Sequence, residues 1–529
     1  MSTPSQYDLD AQVLEYLETP QGNAVQVSLA HFLDAVLPTV QHTSTPGQVV
    51  AELLHWGDNF SKQIPITTKG RWRGFPTDPA KSSCPDRDSF RHLPSIVRAI
   101  FKAGGSKQTP ASFRLNPARV MDSRERHPGY LPDAYLFTAS ESRWPNVVVF
   151  GELKKHDEDK DVQDNIKKVT KSMARCFHQD PRRRFIYAFT IENTSMRLWF
   201  CDRTQIVVSK PFNFIIDHEP VVHFFLSTMY ADPADYGLDT TMIPLDDGLQ
   251  YDIAVRSADG HTRVYRTIES LFISNSYAIR DKGTRVWKVT ELEVKDGREV
   301  GGLLTLKDTW VNADRTAEGT NIEEVRSQCA SGSSDIPPNL SIVSVDCHGN
   351  VYFDRKGRLA LDCTRPLVSH GTGGSGPATT REEPTRTQSS SCTSNQIGAA
   401  RLVHYRTVTK DVCKPLDEER SLATIFRALA SICLALQNMH AAGWVHRDVS
   451  TGNILLTSVG DALLADFQYA KKMGEGDEFR AGTAEFRAVE VDSNSYKFKL
   501  DELPSAYMKE RYPDMLDKFE KFEESIWQT

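Results

Sequence analysis

The hydrophobic pattern changes period several times along the 529 residues. From 1 to about 60, Val13, Leu14 and Leu17, then Leu29, Phe32, Leu33, Val36 and Leu37, then Val49, Val50, Leu53 and Leu54 recur at helical spacing and predict amphipathic helices. The Pro- and Arg-rich stretch from 63 to 130 has no readable period. Ala134–Phe137 and Val147–Phe150 are short apolar runs that predict strands. Val162, Ile166, Val169 and Met173 set one apolar face on a polar helix over 161–178. Phe185, Tyr187, Phe189 and Ile191 alternate, Glu192–Ser195 turns, and Met196, Leu198 and Phe200 alternate back, which predicts a β-hairpin.

A second ordered block opens near 265, with strands predicted over 284–289 and 302–307 and a short helix over 317–329. Residues 365–397 are poor in apolar side chains and rich in Gly, Ser and Thr, so a flexible insertion is expected there. Leu422, Ile425, Phe426, Leu429, Ile432, Cys433, Leu436 and Met439 then mark a long amphipathic helix that Gly443 ends. The end of the chain, from Ser493 to Thr529, is Lys/Glu-rich and reads as one or two amphipathic helices.

Composition narrows the function classes only slightly. With 25% charged and 39% hydrophobic residues most of the chain should fold, and its length suits two to four domains. A net charge of −7 gives no global signal for nucleic acid or anionic membrane. The Met1–Ser5 start lacks a basic and an apolar signal region, and no apolar run approaches membrane-spanning length, so a soluble intracellular chain, cytoplasmic or nuclear, is expected. The nine cysteines form no CxxC pair and no Cys/His spacing suited to zinc, which points to thiols in a reducing compartment.

Candidate chemistry concentrates late in the chain, where three short motifs follow one another. His446-Arg447-Asp448 with Asn453 comes first, then Asp466-Phe467-Gln468, then Gly482 to Glu490. An aspartate on a loop can accept the proton of a substrate hydroxyl, an asparagine five residues later can hold one Mg²⁺, and the aspartate of the next loop can hold another. Asp448 is therefore the candidate base, with Arg447 beside it, and Asn453 and Asp466 are candidate metal ligands. Upstream, Lys307 ends an apolar strand-like run, where an ammonium can reach nucleotide phosphates. Glu318 is the carboxylate chosen to pair with it, because Ile322 and Val325 four and seven positions later would face the core. Gly283 is the single glycine of the stretch Asp281–Val286, where close approach of amides to phosphate prefers two or three.

These residues carry a resemblance. Val445–Leu455, Leu306–Trp310 and Arg401–Arg406 are similar to the fungal-type protein kinase family over roughly residues 130 to 490, as are Arg182–Phe185 and Asp202-Arg203. The resemblance implies ATP and Mg²⁺ as cofactors and a serine/threonine protein kinase activity on a protein substrate that does not carry over. Gly482, Thr483, Glu485, Phe486, Ala488 and Glu490 resemble the end of a serine/threonine kinase activation segment, which would set Thr483 near Asp448. Three departures stand against this. Ser450 replaces the lysine common in other kinases, and Gln468 replaces the usual glycine. About forty residues follow Glu490, so the C-lobe is expected to be truncated, without the helix that braces Arg447.

A second constellation matches PD-(D/E)xK spacing: Pro132-Asp133, then Glu152-Leu153-Lys154 at a strand end. Glu152 and Asp133 could bind Mg²⁺ there and Lys154 could orient a water, with Gln163 on the next helix. Lys167, Lys168, Lys171 and Arg175 could track a nucleic-acid backbone, although such a run is usually a solvated face.

The expected fold class is therefore α+β and multidomain, a bilobal kinase-like domain preceded by an α/β domain of candidate restriction-endonuclease type. The expected boundaries are a helical segment over 1–62, the α/β domain over 90–245, an N-lobe over 260–364, the insertion over 365–397 and a C-lobe over 398–529. The leading expectation is a protein kinase. The alternatives are an inactive kinase-like binding module and a Mg²⁺-dependent nuclease or nucleic-acid-binding module.

Overall fold

The computed structural model describes residues 24–39, 44–55, 65–105, 112–115, 132–137, 146–245, 250–274, 279, 281–293, 295, 297–331, 340–355, 357–367, 401–474, 482–483 and 486. The helical spacing expected around Val13, Leu14 and Leu17, the Ser493–Thr529 end and Glu490 lie outside them. Two compact units share the chain. The first takes residues 1–300, 307–314 and 350–406; the second takes 301–306, 315–349 and 407–529. The first unit thus gathers the segments expected as an α/β domain over 90–245 together with most of 260–364.

An eight-stranded mixed sheet organises the first unit. Its strands are β1 (Val25–Val27), β2 (Ser112–Leu115), β3 (Ala134–Phe137), β4 (Val147–Lys154), β5 (Phe185–Glu192), β6 (Ser195–Asp202), β7 (Ile206–Ser209) and β8 (Phe212–Asn213). They lie in the order β1-β7-β6-β5-β4-β3-β2, with β8 beside β6. The apolar alternation read as a hairpin is β5–β6, turning at Asn193, whose φ is +55°. β4 and β5 run parallel, and a parallel pair needs a crossover. The polar helix supplies it as Asp159–Gln179, longer than 161–178 at both ends.

Alternate side chains of this sheet enter two cores. Tyr187, Phe189 and Leu198 pack with Phe32, Val49, Trp72, Ile100 and Phe225, which ride on α1 (Pro46–His55), α2 (Leu93–Ala103), α4 (His218–Met229) and adjoining segments. Ile186, Ala188 and Trp199 pack with Val169 and Met173 of the crossover helix, α3 (Asp159–Gln179). A sheet covered on both faces reads as near-continuous apolar strands, as β4 and β5 do. α2 and β2 lie in the Pro- and Arg-rich stretch that showed no period; α2 begins Leu93-Pro94, and proline at the first helical turn costs no hydrogen bond.

The second sheet of this unit runs β9 (Met242–Pro244), β10 (Tyr251–Arg256), β11 (Thr262–Ile273), β12 (Arg285–Leu292), then β13 (Glu299–Asn312). β14 is Val345–Asn350, β15 and β16 (Tyr352–Arg355, Arg358–Leu361) form a hairpin, and β17 is Leu402–Thr409. Residues 365–367 correct one expected boundary. Arg365 Nη2 donates to the Tyr187 hydroxyl at 3.2 Å, Arg365 O accepts from Gln205 Nε2 at 2.5 Å, and Leu367 is buried, so these residues pack instead of opening the insertion. Residues 368–397 lie outside the described ones.

Period-two geometry places Asp308 and Trp310 on one face of β13, and His404 and Arg406 on one face of β17. They meet in a buried ionic network. His404 Nε2 is 2.9 Å from Asp308 Oδ1 and its Nδ1 is 2.9 Å from Asp362 Oδ2. Arg406 donates through Nε to Asp308 at 2.7 Å and through Nη2 to Asp239. Arg184 Nε donates to Asp362 at 2.7 Å, and the Trp310 ring stacks on His404 at 4.7 Å between centroids. Three carboxylates (Asp239, Asp308, Asp362) thus face Arg184, Arg406 and a histidine with an oxygen at each ring nitrogen. Both nitrogens can donate only in the imidazolium form. Burial alone would lower the His404 pKa, but Asp308 and Asp362 push it up to about 9. A raised folded-state pKa gives stability that is full below the unfolded value and is lost as pH rises through about 9. An NMR titration of His404 should show it still protonated at pH 7.5; titration near the ordinary histidine value would contradict the network's charge balance.

The second unit is built on two helices, α5 (Glu318–Ser331) and α6 (Leu422–Ala441). Ile322 and Val325 of α5, and Ala428, Ile432, Ala435 and Met439 of α6, enter one core with Trp444, Ile454, Leu456, Leu464 and Phe467. Ser421 caps α6 by accepting from Thr424 N at 3.4 Å, and Gly443 follows its end with φ +78°. By length and composition α6 could also cross a membrane, with a mean hydropathy of 1.4 over its apolar window. This differs from the expectation that no run approaches that length, because Arg427 is its one charged side chain.

Candidate active site

The catalytic-loop residues hang between α6 and two short hairpins. β19 (Trp444–Val445) pairs with β22 (Lys471–Lys472), while β20 (Ile454–Leu456) pairs with β21 (Ala462–Leu464) and also with β18 (Lys414–Pro415). Between β19 and β20 the chain has no regular structure, so side chains and strained backbone set its shape. His446 is buried: its Nδ1 accepts from Asp448 N at 3.3 Å and its Nε2 lies 3.1 Å from the Ala465 carbonyl. An accepting Nδ1 requires the proton on Nε2, and that proton goes to Ala465. The ring meets Phe467 edge-on at 4.8 Å, tying the loop to the Asp466-Phe467-Gln468 segment. Arg447 takes φ +71°, a left-handed conformation that a side chain of this size rarely adopts.

Asp448 is 8% exposed. Its Oδ1 accepts two hydrogen bonds from one residue, Thr483, through N and Oγ1, both at 2.8 Å. This is the proximity expected for the activation-segment threonine. Asn453 Nδ2 donates to the Asp448 carbonyl at 2.8 Å, which fixes the amide so that its Oδ1 is turned the other way as an acceptor. Asn453 O in turn accepts from Ala465 N at 2.9 Å, holding the two metal-ligand candidates one residue apart in the hydrogen-bond ladder. Asp466 itself is left-handed, with φ +62° and ψ +66°, and a 3₁₀ turn from Phe467 to Tyr469 follows it. Asparagine and aspartate tolerate this region better than most residues. Asn321 Nδ2 on α5 donates to Phe467 O at 3.0 Å, so the helix braces the same turn.

Gly482 explains its own identity. Its φ is +99°, and a Cβ there would lie 2.7 Å from Arg447 O and 3.7 Å from Asp448 Oδ1. Only glycine lets Thr483 reach the aspartate without displacing the loop.

The remaining predicted residues are placed as follows. Glu318 opens α5 and is 4% exposed, whereas Glu323 and Glu324 face His348 at 3.4 Å and Lys472 at 2.6 Å. The buried carboxylate of that helix is therefore the one chosen from the sequence. Lys307 is half-buried on β13 in the first unit. Gly283 is also in the first unit, in the connector between β11 and β12, with φ +57°. Among the activation-segment residues, Ala484, Glu485 and Arg487 to Glu490 lie outside the described residues.

The second constellation is a packed helix interface. Asp133 Oδ2 accepts from Leu153 N at 3.0 Å. Glu152 is fully buried beneath α3, its Oε1 3.5 Å from Ser172 Oγ. Lys154 and Lys168 both pair with Asp164, at 2.6 and 2.9 Å. Glu152 and Lys154 do share a face, but that face looks into the protein, where helix α3 covers it. Gln163 is exposed on α3, and Arg175 at the end of the basic run is buried, so the run is no continuous surface.

What sequence reasoning missed is the ionic network. Its members were visible as parts of the resemblance, Arg182–Phe185, Leu306–Trp310 and Arg401–Arg406, but no spacing rule joins residues 184, 239, 308, 362, 404 and 406. A buried Asp-x-Trp facing a His-x-Arg on a neighbouring strand was the available signal.

Comparison with known proteins agrees with this geometry. A probable serine/threonine-protein kinase of Saccharomyces cerevisiae, FMP48, is 37% identical over 92 residues, 17% of this chain and 25% of that protein. The serine/threonine-protein kinase PEPKR2 of Arabidopsis thaliana is 39% identical over 85 residues, 16% of this chain and 17% of that protein. The chain thus spans a quarter or less of these curated relatives. Among solved structures, the ROP18 kinase domain in complex with AMP-PNP and sucrose reaches 15% identity and a TM-score of 0.24 over 44% of this chain and 58% of that one, too slight a likeness to carry an argument. The profile of the fungal protein kinase family matches residues 133–505, well over half of the 529, and the chain belongs to that family.

Proposed function

We propose that this chain is an ATP- and Mg²⁺-dependent protein kinase that transfers the γ-phosphoryl group to a serine or threonine hydroxyl. The observation that carries this reading is the pair of 2.8 Å bonds from Thr483 to Asp448 Oδ1. They hold the carboxylate in one rotamer at the mouth of the loop. A positioned carboxylate can accept the hydroxyl proton as the substrate oxygen bonds to phosphorus and the bond to the departing diphosphate breaks.

The donor set suits Mg²⁺, which prefers hard oxygen ligands. Asn453 Oδ1 and the Asp466 carboxylate would hold it, since the bond from Asn453 Nδ2 to Asp448 O leaves the amide oxygen as the outward group. When bound, the ion neutralises charge on the β- and γ-phosphate oxygens. By its resemblance to the family, Lys307 would orient the phosphates. Thr483 would favour a serine or threonine hydroxyl through its likeness to serine/threonine kinases.

A Mg²⁺-dependent thermal shift with ATP is expected, about 2.7 kcal/mol at a hundredfold excess over Kd. Asp466→Asn should lose the metal-dependent part. A wild-type shift indifferent to Mg²⁺, or none at millimolar ATP, would leave an inactive binding module.

A further inference from the structure

Helix α6 is apolar over more of its circumference than its own core uses. Ala428, Ile432, Ala435 and Met439, spaced four, three and four apart, enter the core of the second unit. Leu422, Ala423, Ala430 and Leu434 lie off that stripe and are exposed, Leu422 to 69% and Leu434 to 46%. Only 22% of the helix's apolar window is buried. A surface helix ordinarily turns charged or polar side chains to water, and one that is apolar all round is covered. Arg427, the one charged side chain of α6, stands unbalanced: its Nε donates to the Ala423 carbonyl at 3.3 Å, and it forms no ion pair with the described residues.

A segment of matching chemistry lies later in the same chain. Over 513–527, Met515, Phe519, Phe522 and Ile526 are spaced four, three and four apart, the interval of the buried stripe of α6. At about 100° per residue they fall within roughly 60° of one another and would make one continuous apolar ridge on a helix. Pro513 suits a first helical turn, and Asp514 and Asp517 suit the positive end of a helix. The segment carries five carboxylates against two lysines, with Glu523 beside the ridge. It lies outside the described residues and outside the family match, which ends at 505. Residues 487–512 join it to Phe486 of the same unit, a reach of roughly 85 Å when extended, so the tether does not keep it from α6.

We infer that residues 513–527 form an amphipathic helix that docks on the exposed apolar face of α6 in the same chain. The ridge of Met515, Phe519, Phe522 and Ile526 covers Ala423, Ala430 and Leu434, and the small alanines leave room for the two aromatic rings. The acidic flank of the segment meets Arg427 and supplies the missing counter-charge. At roughly 1.5 Å per residue the segment is about 22 Å long, within the length of α6. A tethered partner sits at millimolar effective concentration, which favours it over a second copy in dilute solution. Because α6 leads through Gly443 into β19 and the His446 loop, the docked segment steadies the support of that loop. Docking of this kind does not depend on phosphoryl transfer.

The test places the photo-crosslinker p-benzoylphenylalanine at the exposed position of Leu434 in the full chain and maps the products of irradiation in dilute solution by mass spectrometry. Crosslinks within one chain to 513–527 are expected. Phe519→Glu combined with Phe522→Glu should abolish them, whereas Lys521→Glu, on the far side of the segment from the ridge, should leave them in place. The double variant alters no residue of the second unit's core, so it should stay folded while the backbone amides of α6 exchange hydrogen about tenfold faster than in the wild type. No crosslink to 513–527 overturns the docking, whether the label goes to a second copy, to the lipid of added phosphatidylcholine–phosphatidylserine vesicles, or to neither. Crosslinks and exchange unchanged in the double variant overturn it as well.

Discussion

An Asp448→Asn chain is expected to bind Mg-ATP as the wild type does and to transfer phosphate roughly 10²–10⁴-fold more slowly. The substitution keeps size and shape and removes a basic oxygen. Thr483 N can still donate to the amide oxygen, so the loop geometry should survive, and His446 still accepts from the backbone nitrogen of residue 448. The loss should therefore fall on kcat and leave nucleotide affinity in place, the signature of a group used in the transition state. Equal kcat in the two proteins would remove Asp448 from the mechanism.

The largest expected change in stability is at Arg406. It has no exposed surface, and its guanidinium reaches Asp308 and Asp239, the Thr241 hydroxyl and the Ala254 carbonyl, the last two at 2.7 Å. Burial works against a charged Asp308, yet His404 and Arg406 hold its carboxyl well below the usual carboxylate range. Arg406→Met would leave Asp239 and Asp308 buried with one cationic partner fewer. Breaking a buried pair from one side costs about 3–5 kcal/mol. Urea denaturation should show a loss of that size in the first unit, against little change for a control at the exposed Lys160–Glu158 pair. A loss under about 1 kcal/mol would mean that the network is not held as a charged unit.

Legibility in the sequence followed the range of the interactions. The hairpin at 185–202, the helix from Leu422 and the order of the motifs depend on neighbours a few residues apart, and periodicity reports those directly. Thr483 lies against Asp448, as the resemblance of the Gly482 segment to a kinase activation segment implied. Helical phase separates Glu318, which is buried, from Glu323 and Glu324, whereas its choice as a partner for Lys307 rested on more than phase can tell. The buried face of Glu152 and Lys154 was not legible: alternation tells that two residues share a face, while only the crossover helix tells that the face is covered. Gly283 shows the same limit. Its positive φ could be guessed from its type, but the guanidinium that needs the space comes from Arg203, eighty residues earlier. Long-range polar partners leave no periodic trace, which is why the network around His404 emerged only from the fold.

The central claim, that the Asp448 loop performs phosphoryl transfer, is tested most directly by incubating the full wild-type chain with Mg²⁺ and ATP labelled at the γ-phosphate and a generic protein substrate, then mapping the labelled residues by mass spectrometry. Mg²⁺-dependent label is expected on serine or threonine side chains. No label on any protein hydroxyl, in a preparation that binds Mg-ATP, would contradict it.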